Sequence, residues 1–179
     1  NRLTDYGIRT EVTATPRTAM ARFTFPKGKA HLLLNLGQGL TNESGATVCW
    51  VSDSELQGSK LLGTFCYDAR QAVFPVYFVL RIDRPTAASG YWKYQRPKGG
   101  VAAQWDADDS RYKVYTRYRK ELSGDDIGAW CSFDAEAGEQ VEVRMGVSFV
   151  SIEGARRNLE AEQRGRHFDA LRAEAKARW

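Results

Sequence analysis

The sequence predicts a mainly β protein: an antiparallel β-sandwich followed by a C-terminal pair of linker helices. From Gly7 to Val150, apolar and polar residues mostly alternate with the period of two that half-buried strands require. About nine such runs follow one another, with turn residues and no helical pattern between them, which favours a sandwich over a parallel sheet with helical crossovers. After Val150 the apolar residues change to helical spacing. We therefore expect a sandwich domain over residues 1–150 and a helical linker over residues 151–179.

The composition is that of an ordinary soluble domain. The 179 residues are 42% hydrophobic and 27% charged with a net charge of +4, and a chain of this length folds without a metal or disulfide scaffold. No apolar run reaches the roughly 18 residues of a membrane-spanning helix, and no signal-peptide pattern opens the chain. Because Asn1 is not a start methionine, we expect the chain to be part of a longer one, with any targeting signal outside it.

The cysteines Cys49, Cys66 and Cys131 lie far apart and without CxxC spacing, so they indicate neither a zinc site nor a closed disulfide framework. We expect buried thiols. A bridge between Cys49 and Cys66 is the alternative in an oxidising compartment.

The first strands are predicted from alternating β-branched and aromatic residues. Residues 8–15 (IRTEVTAT) and 18–25 (TAMARFTF) form a hairpin, because a Thr-Pro step ends the first ladder. Residues 30–36 (AHLLLNL) are a continuous apolar run, which predicts a central strand buried on both faces. Residues 47–66 predict two strands that meet near residues 52–54.

The later strands follow the same pattern. Residues 72–83 (AVFPVYFVLRID) are the most hydrophobic run, and Pro75 within it requires an edge or a bulge because proline cannot donate a ladder hydrogen bond. Three more strands are predicted over residues 111–119, 126–134 and 140–150.

The stretch from Arg84 to Asp109 predicts one long loop rich in proline, glycine and aromatic residues, and loops of that length are usually functional or mobile. Within it, Trp92, Tyr94 and Trp105 are our candidate substrate-binding residues, because aromatic rings stack on the C–H face of a sugar. The alternative is that they cover an edge of the sandwich.

Basic and aromatic residues interleave over residues 90–98 and 111–120, a pattern that also occurs in proteins that bind nucleic acid. Strand alternation explains the second stretch equally well, because it places the two kinds of residue on opposite faces. The net charge of +4 is thinly spread and no motif supports nucleic acid, so we expect no such partner.

The C-terminal residues predict two helices, each with one narrow apolar stripe. Ser151 is the expected N-cap of the first, and Gly165 the left-handed residue after its end. A stripe requires a partner surface, and we expect the sheet to supply part of it. The stripe residues are Ile152, Ala155 and Leu159 in the first helix, and Phe168, Leu171, Ala175 and Trp179 in the second.

No catalytic motif is visible. General acid and base catalysis requires two carboxylates at a fixed separation, whereas turn placement and helix solvation explain the acidic clusters of this chain. His31 and His167 lie far apart, and HExxH, GxSxG and phosphate-loop patterns do not occur. The residues alone therefore predict a fold better than an activity.

Four phrases nonetheless form a characteristic series along the chain: GIRTEVTATPRTAMARFTFP (7–26), ELQGSKLLGTF (55–65), VYFVLRID (76–83) and MGVSFVSIEGARRNLEAE (145–162). Together they resemble the N-terminal domain of glycoside hydrolase family 92, the exo-acting α-mannosidases. The final FDALRAEAKARW (168–179) is similar to the linker helix that leads into the catalytic domain of that family.

The resemblance implies a two-part, calcium-dependent enzyme that inverts the anomeric centre. It comprises an N-terminal sandwich, linker helices and an (α/α)6 barrel, with the mannose site between sandwich and barrel. In that scheme one carboxylic acid protonates the leaving oxygen, a second carboxylate activates water, and calcium helps to orient the sugar. The implied partners are a mannose-containing glycan and the protein's own barrel, and the implied location is secreted or periplasmic.

The family's acid, base and calcium ligands belong to the barrel, and its sugar-contacting N-terminal motifs do not occur in this sequence. We therefore assign no catalytic and no metal-binding residue here, and expect the segment to be inactive alone, to form one wall of the cleft, and to pack its helix stripes partly on the barrel. The alternative function is a carbohydrate-binding module that uses Trp92, Tyr94 and Trp105 without hydrolysis. A purely structural interaction domain is the third.

Overall fold

The computed structural model describes residues 1–37, 44–63, 73–94 and 111–178. Within these ranges the chain forms twelve strands and two α-helices, with one short 3₁₀ turn at Thr4–Tyr6. The strands are β1 (Arg2–Leu3), β2 (Ile8–Ala14), β3 (Thr18–Phe25), β4 (Gly28–Asn35), β5 (Ser44–Trp50), β6 (Glu55–Leu62), β7 (Phe74–Ile82), β8 (Ala88–Tyr94), β9 (Tyr112–Thr116), β10 (Leu122–Gly124), β11 (Ile127–Ala135) and β12 (Glu139–Ser148). The helices are α1 (Ile152–Gln163) and α2 (Phe168–Arg178).

The strands form two antiparallel sheets of unequal width, which confirms the predicted sandwich. The large sheet has eight strands in the order β1-β2-β3-β12-β7-β6-β5-β10, and the small sheet has four in the order β4-β11-β8-β9. The hairpin β2–β3 and the pair β5–β6 form as the sequence predicts. The pairing of β3 with β12 joins the two ends of the sandwich domain.

The core lies between the two sheets. Phe25 of β3 meets Phe133 of β11 edge to face, with 5.5 Å between the ring centroids. Tyr91 of β8 is fully buried, and its hydroxyl accepts a hydrogen bond from the Trp50 amide (3.0 Å) and donates one to the Lys120 carbonyl (3.1 Å). Burial of each such side chain stabilises the fold by about 1.5–3 kcal/mol, and the hydrogen bonds remove the cost of burying the hydroxyl.

The helices pack on the outer face of the large sheet. The Ser151 hydroxyl caps α1 by accepting from the Gly154 amide (3.0 Å), and Gly165 is left-handed after the helix ends, as the sequence predicts. Their buried stripe residues contact the sheet in two clusters: Ala155 and Leu159 with Val79, and Phe168 and Leu171 with Met20.

The sheet thus supplies more of the partner surface than we expected. Leu159 and Phe168 are fully buried within the described residues, whereas Ile152 is half-buried. Trp179 lies outside the described residues. Packing on a further domain stays a prediction for the exposed sides of these helices.

Three sequence interpretations require correction. The strand of residues 30–36 was expected to be central and buried on both faces, but β4 is an edge strand of the small sheet and Leu33 is 73% exposed. The stretch 84–109 was expected to be one loop, but it contains β8, an inner strand of the small sheet. The short strands β1 and β10 were not predicted. Pro75 does lie where β7 has one neighbour, beyond the end of the β12 ladder at Tyr77.

Candidate functional site: the aromatic face of the small sheet

Two of the three candidate residues lie on the outer face of the small sheet. Tyr91 points into the core, so strand alternation turns Trp92 and Tyr94 outward. They are therefore held by an inner strand rather than by a loop. Trp105 lies outside the described residues, as does the acidic cluster of residues 106–109.

Each outward tryptophan of this face lies over the glycine directly opposite it. In the β8–β11 register, Trp92 pairs with Gly128 and Gly90 pairs with Trp130. A Cβ atom added to Gly128 would lie 2.4 Å from the Trp92 ring, and one added to Gly90 would lie 2.8 Å from Nε1 of Trp130. Any residue other than glycine would displace the rings, so this reciprocal Trp–Gly arrangement fixes both indoles against the sheet.

Two tyrosines extend this aromatic surface towards β9. Tyr112 lies 5.9 Å from Trp92 and 5.3 Å from Tyr94 between ring centroids, in tilted and edge-on geometries that aromatic pairs prefer. Nε1 of Trp130 donates to the Tyr115 carbonyl (3.2 Å). Nε1 of Trp92 is buried and has no hydrogen-bond partner among the described residues.

A shallow cavity of about 460 Å³ opens on this face. We call the residues around it the aromatic face; they are Leu33, Asn35, Trp92, Tyr112, Val114 and Trp130, with Tyr94 beside them. Leu33 and Val114 are 73% and 63% exposed. Such a surface can stack on apolar faces of a ligand or cover another protein surface, and its described residues include no carboxylate or histidine for acid–base catalysis.

Leu33, Tyr112, Val114 and Trp130 were missed as site residues. The strand alternation predicted for residues 111–119 does put Tyr112 and Val114 on one face, opposite to Lys113 and Tyr115. What brings them to Trp92 is the order β4-β11-β8-β9, which no single run of sequence shows.

The basic residues near β9 contact aromatic rings of the protein itself. Arg119 lies over the Tyr115 ring, 4.5 Å from its centroid, and Lys113 lies 5.5 Å from the same centroid. Such cation–π contacts give these charges a structural role within the fold.

Acidic residues of strand β6 and helix α1 form ion pairs with arginines on the opposite side of the sandwich. Glu55 accepts from Arg81 (2.6 Å) and Arg156, and Arg81 also pairs with Glu160. Burial raises the pKa of Glu55, but the hydrogen bonds from Arg81 and Arg156 outweigh it, so its pKa lies below the ordinary value. We call this set, with Gln57, the sheet–helix ion-pair network.

A second acid of α1 is held in the same way. Glu162 accepts from Arg17 (2.6 Å) and from the Thr15 hydroxyl. Burial opposes these hydrogen bonds, but together they hold the pKa of Glu162 below its ordinary value. Glu160 and Glu162 therefore serve the docking of α1 on the sheet.

The described residues do not fit a calcium site. In the ranges 1–37, 44–63, 73–94 and 111–178 no three His, Cys, Asp or Glu side chains come together in a group that could hold a metal ion. The acids that do cluster are bound by arginines, which occupy the oxygen atoms that calcium would need. Of the helices described, none is long and apolar enough to cross a bilayer.

A family comparison identifies the sandwich. The model of the glycosyl hydrolase family 92 N-terminal domain matches residues 1–148. This range ends at the last residue of β12. A comparison with curated proteins found no match.

Solved structures superpose on nearly the whole chain. A family GH92 α-mannosidase from Bacteroides thetaiotaomicron, also solved in complex with mannoimidazole, shares 28% identity at a TM-score of 0.74 over 98% of this chain and 22% of its own. A family GH92 inverting mannosidase from Bacteroides thetaiotaomicron VPI-5482 has the same fold, with 20% identity and a TM-score of 0.72 over 97% of this chain and 20% of its own. The chain therefore spans about a fifth of the length of these relatives.

Proposed function

The chain belongs to glycoside hydrolase family 92 through the N-terminal domain of that family, and on this premise we propose that it is the sandwich segment of an α-mannosidase that acts on mannose-containing glycans. The observation that carries the proposal is the superposition, at 28% identity over 98% of this chain, on an α-mannosidase that was also solved with mannoimidazole.

The hydrolytic residues of the parent enzyme are expected outside this segment. Inversion requires one carboxylic acid to protonate the leaving oxygen and one carboxylate to activate water on the opposite side of the sugar ring. The helix acids described above are bound by arginines instead, which supports a segment that is inactive alone. Calcium dependence belongs to the same proposal, with its ligands in the remaining part of the parent.

The aromatic face is our candidate for the contribution of this segment to substrate binding. A sugar ring has an apolar C–H face that packs on aromatic rings, and the Trp–Gly pairs hold two indoles in place before any ligand arrives. We propose that this face forms one wall of the mannose-binding cleft.

The same face supports a second function, a carbohydrate-binding module without hydrolysis. Its described residues present stacking rings but no carboxylate or histidine, which is the composition of a binding surface. Under either function we propose a secreted or periplasmic location, where such glycans are available.

The deciding experiment compares the parent enzyme with residues 1–179 on an α-mannoside, with and without a calcium chelator. Chelator-sensitive release of mannose by the parent, and none by the segment, is the expected result. If the parent does not hydrolyse mannosides and the segment binds the glycan, the binding module is correct. Fractionation of producing cells for the parent tests the location.

A further inference from the structure

The hairpin β2–β3 extends beyond the edge of the small sheet. Phe25 meets Phe133 in the core, so this side of β3 is its inner face. Ala21 and Phe23 lie on the same face by alternation, and Val12 of β2 is opposite Ala21 in the register. Val12 is 66% exposed. Phe23 is half-buried and packs on the core, so the described part of the small sheet covers this face only in part and leaves Val12 uncovered.

The strand beside this partly covered face has a free edge. Among the described strands β4 pairs with β11 alone, so the other side of its backbone has no ladder partner there. Proteins usually protect such an edge with charges, prolines or bulges. Lys29 and His31 are exposed in the first half of β4, but its second half contains the consecutive leucines Leu32, Leu33 and Leu34.

An apolar groove of about 290 Å³ lies between these two features. We call it the inter-sheet groove, and all of its lining side chains are apolar. They include Val12, Ala21, Phe23, Leu32, Leu33 and Leu34. An exposed apolar groove beside an unpaired strand edge favours aggregation, and natural proteins usually cover such a surface with another chain segment.

We propose that the inter-sheet groove is filled by an extended apolar strand from the parent polypeptide outside residues 1–179, which pairs with β4 and inserts alternate side chains between the sheets. A free edge offers backbone donors and acceptors, and the adjacent groove accepts every second side chain of an added strand; together they define strand addition as the binding mode. At about 3.3 Å per residue, a strand that matches the eight residues of β4 is about 26 Å long.

The length of the relatives argues for the same polypeptide as the source of this strand. They superpose on 98% of this chain with only 22% of their own residues, so most of such a polypeptide lies outside the matched segment. A strand within the same molecule binds at a high effective concentration, which a separate peptide lacks. The inference rests on the parent being longer, as the proposed function does, but not on its hydrolytic activity.

The test uses the full-length parent with a photoreactive benzoylphenylalanine in place of Val12, which lines the groove and is not part of the aromatic face, and the same residue in place of Val150 as a control that is 80% exposed and away from the groove. We expect irradiation at Val12 to give an intramolecular cross-link to a peptide outside residues 1–179, identified by mass spectrometry. The Val150 variant is expected to lack that cross-link. A cross-link within residues 1–179, a cross-link to a second copy, or none at Val12 overturns the proposal.

Hydrogen exchange of the unmodified parent provides a test without substitution. If a strand pairs with the free edge, amides on both sides of β4 are protected, and the peptide spanning residues 28–35 exchanges slowly throughout. If about half of its amides exchange as fast as those of an open edge, the proposal is wrong. Mannosidase activity is measured separately, so failure of this inference and failure of the proposed function are distinguishable.

Discussion

Leu159 of α1 lies directly over Gly146 of β12. A Cβ atom added to Gly146 would lie 2.8 Å from the Cβ of Leu159 and 2.4 Å from the carbonyl oxygen of Ala155. The helix backbone thus approaches the sheet as closely as glycine permits, and the sheet–helix ion-pair network forms beside this contact. Helix α1 is therefore a packed part of the sandwich.

Replacement of Gly146 by alanine should destabilise the domain by about 1–3 kcal/mol, because α1 must move away from the sheet to admit the methyl group. Urea unfolding of the parent, followed by circular dichroism, measures the change. Lys29→Ala, at an exposed position of β4, is the control, and its effect should stay within about 0.5 kcal/mol. Equal stability of G146A and the wild type would show that the contact is looser than described.

The pairing of Glu55 predicts a loss of stability in acid. The pKa of Glu55 in the folded state is lower than its ordinary value of 4.5. The ionised side chain therefore adds its full contribution to the free energy of unfolding above pH 4.5, and this contribution is lost as the pH falls through the folded-state pKa. Glu55→Gln should lower Tm most at neutral pH, and its difference from the wild type should shrink below pH 4.5. Thermal melts between pH 3 and pH 7 test this. Glu136→Gln, whose side chain is 78% exposed and lies outside this network, is the control. A Glu55→Gln difference that is constant with pH would contradict the assignment.

The aromatic face predicts a substrate-binding defect. In the parent enzyme, Trp92→Ala should raise KM for a mannoside about 2- to 10-fold, since one aromatic stacking contact contributes about 0.5–1.5 kcal/mol. Trp92→Phe should retain most of the affinity because it keeps a ring. Tyr118→Ala removes an exposed ring away from the cavity and should leave the kinetics unchanged. If KM is also unchanged in Trp92→Ala, the face has a structural role.

Cys131 should resist alkylation in the folded protein. It is buried in the core, and burial raises the pKa of its thiol to about 11, so almost no thiolate forms at pH 8. Iodoacetamide labelling followed by peptide mass spectrometry should modify Cys131 in urea but not in buffer, while the half-buried Cys49 reacts at an intermediate rate. Labelling of Cys131 in buffer as fast as in urea would show that the core opens there.

Features that depend on neighbouring residues were predictable from the sequence. The hairpin β2–β3 follows from alternation and a Thr-Pro turn, and the start of α1 follows from the Ser151 hydroxyl and the apolar spacing after it. Gly165 marks the left-handed residue after this helix because side chains disfavour that conformation. Each of these signals lies within a few positions of the element it defines.

Features that depend on distant residues were not predictable in the same way. The run of leucines in β4 suggested burial on both faces, but the strand order of the small sheet puts β4 at an edge. The glycines and prolines around β8 suggested a loop, whereas Gly90 is required there because Trp130 of another strand lies over it. Trp92 and Tyr94 lie together on one outward face and stay candidates for substrate binding, but their neighbours Tyr112 and Trp130 come from strands that only the sheet order brings together.

The pairing of β3 with β12 also determines when this domain can fold during synthesis. Met20 lies opposite Arg144, and Ala30 of β4 lies opposite Phe133, so both sheets join early and late parts of the chain. A ribosome adds about 5–20 residues per second, and neither sheet can close until these late strands have left the exit tunnel. Until then the nascent hairpin β2–β3 exposes its apolar faces for seconds, which makes this segment a natural client for chaperones that bind emerging chains.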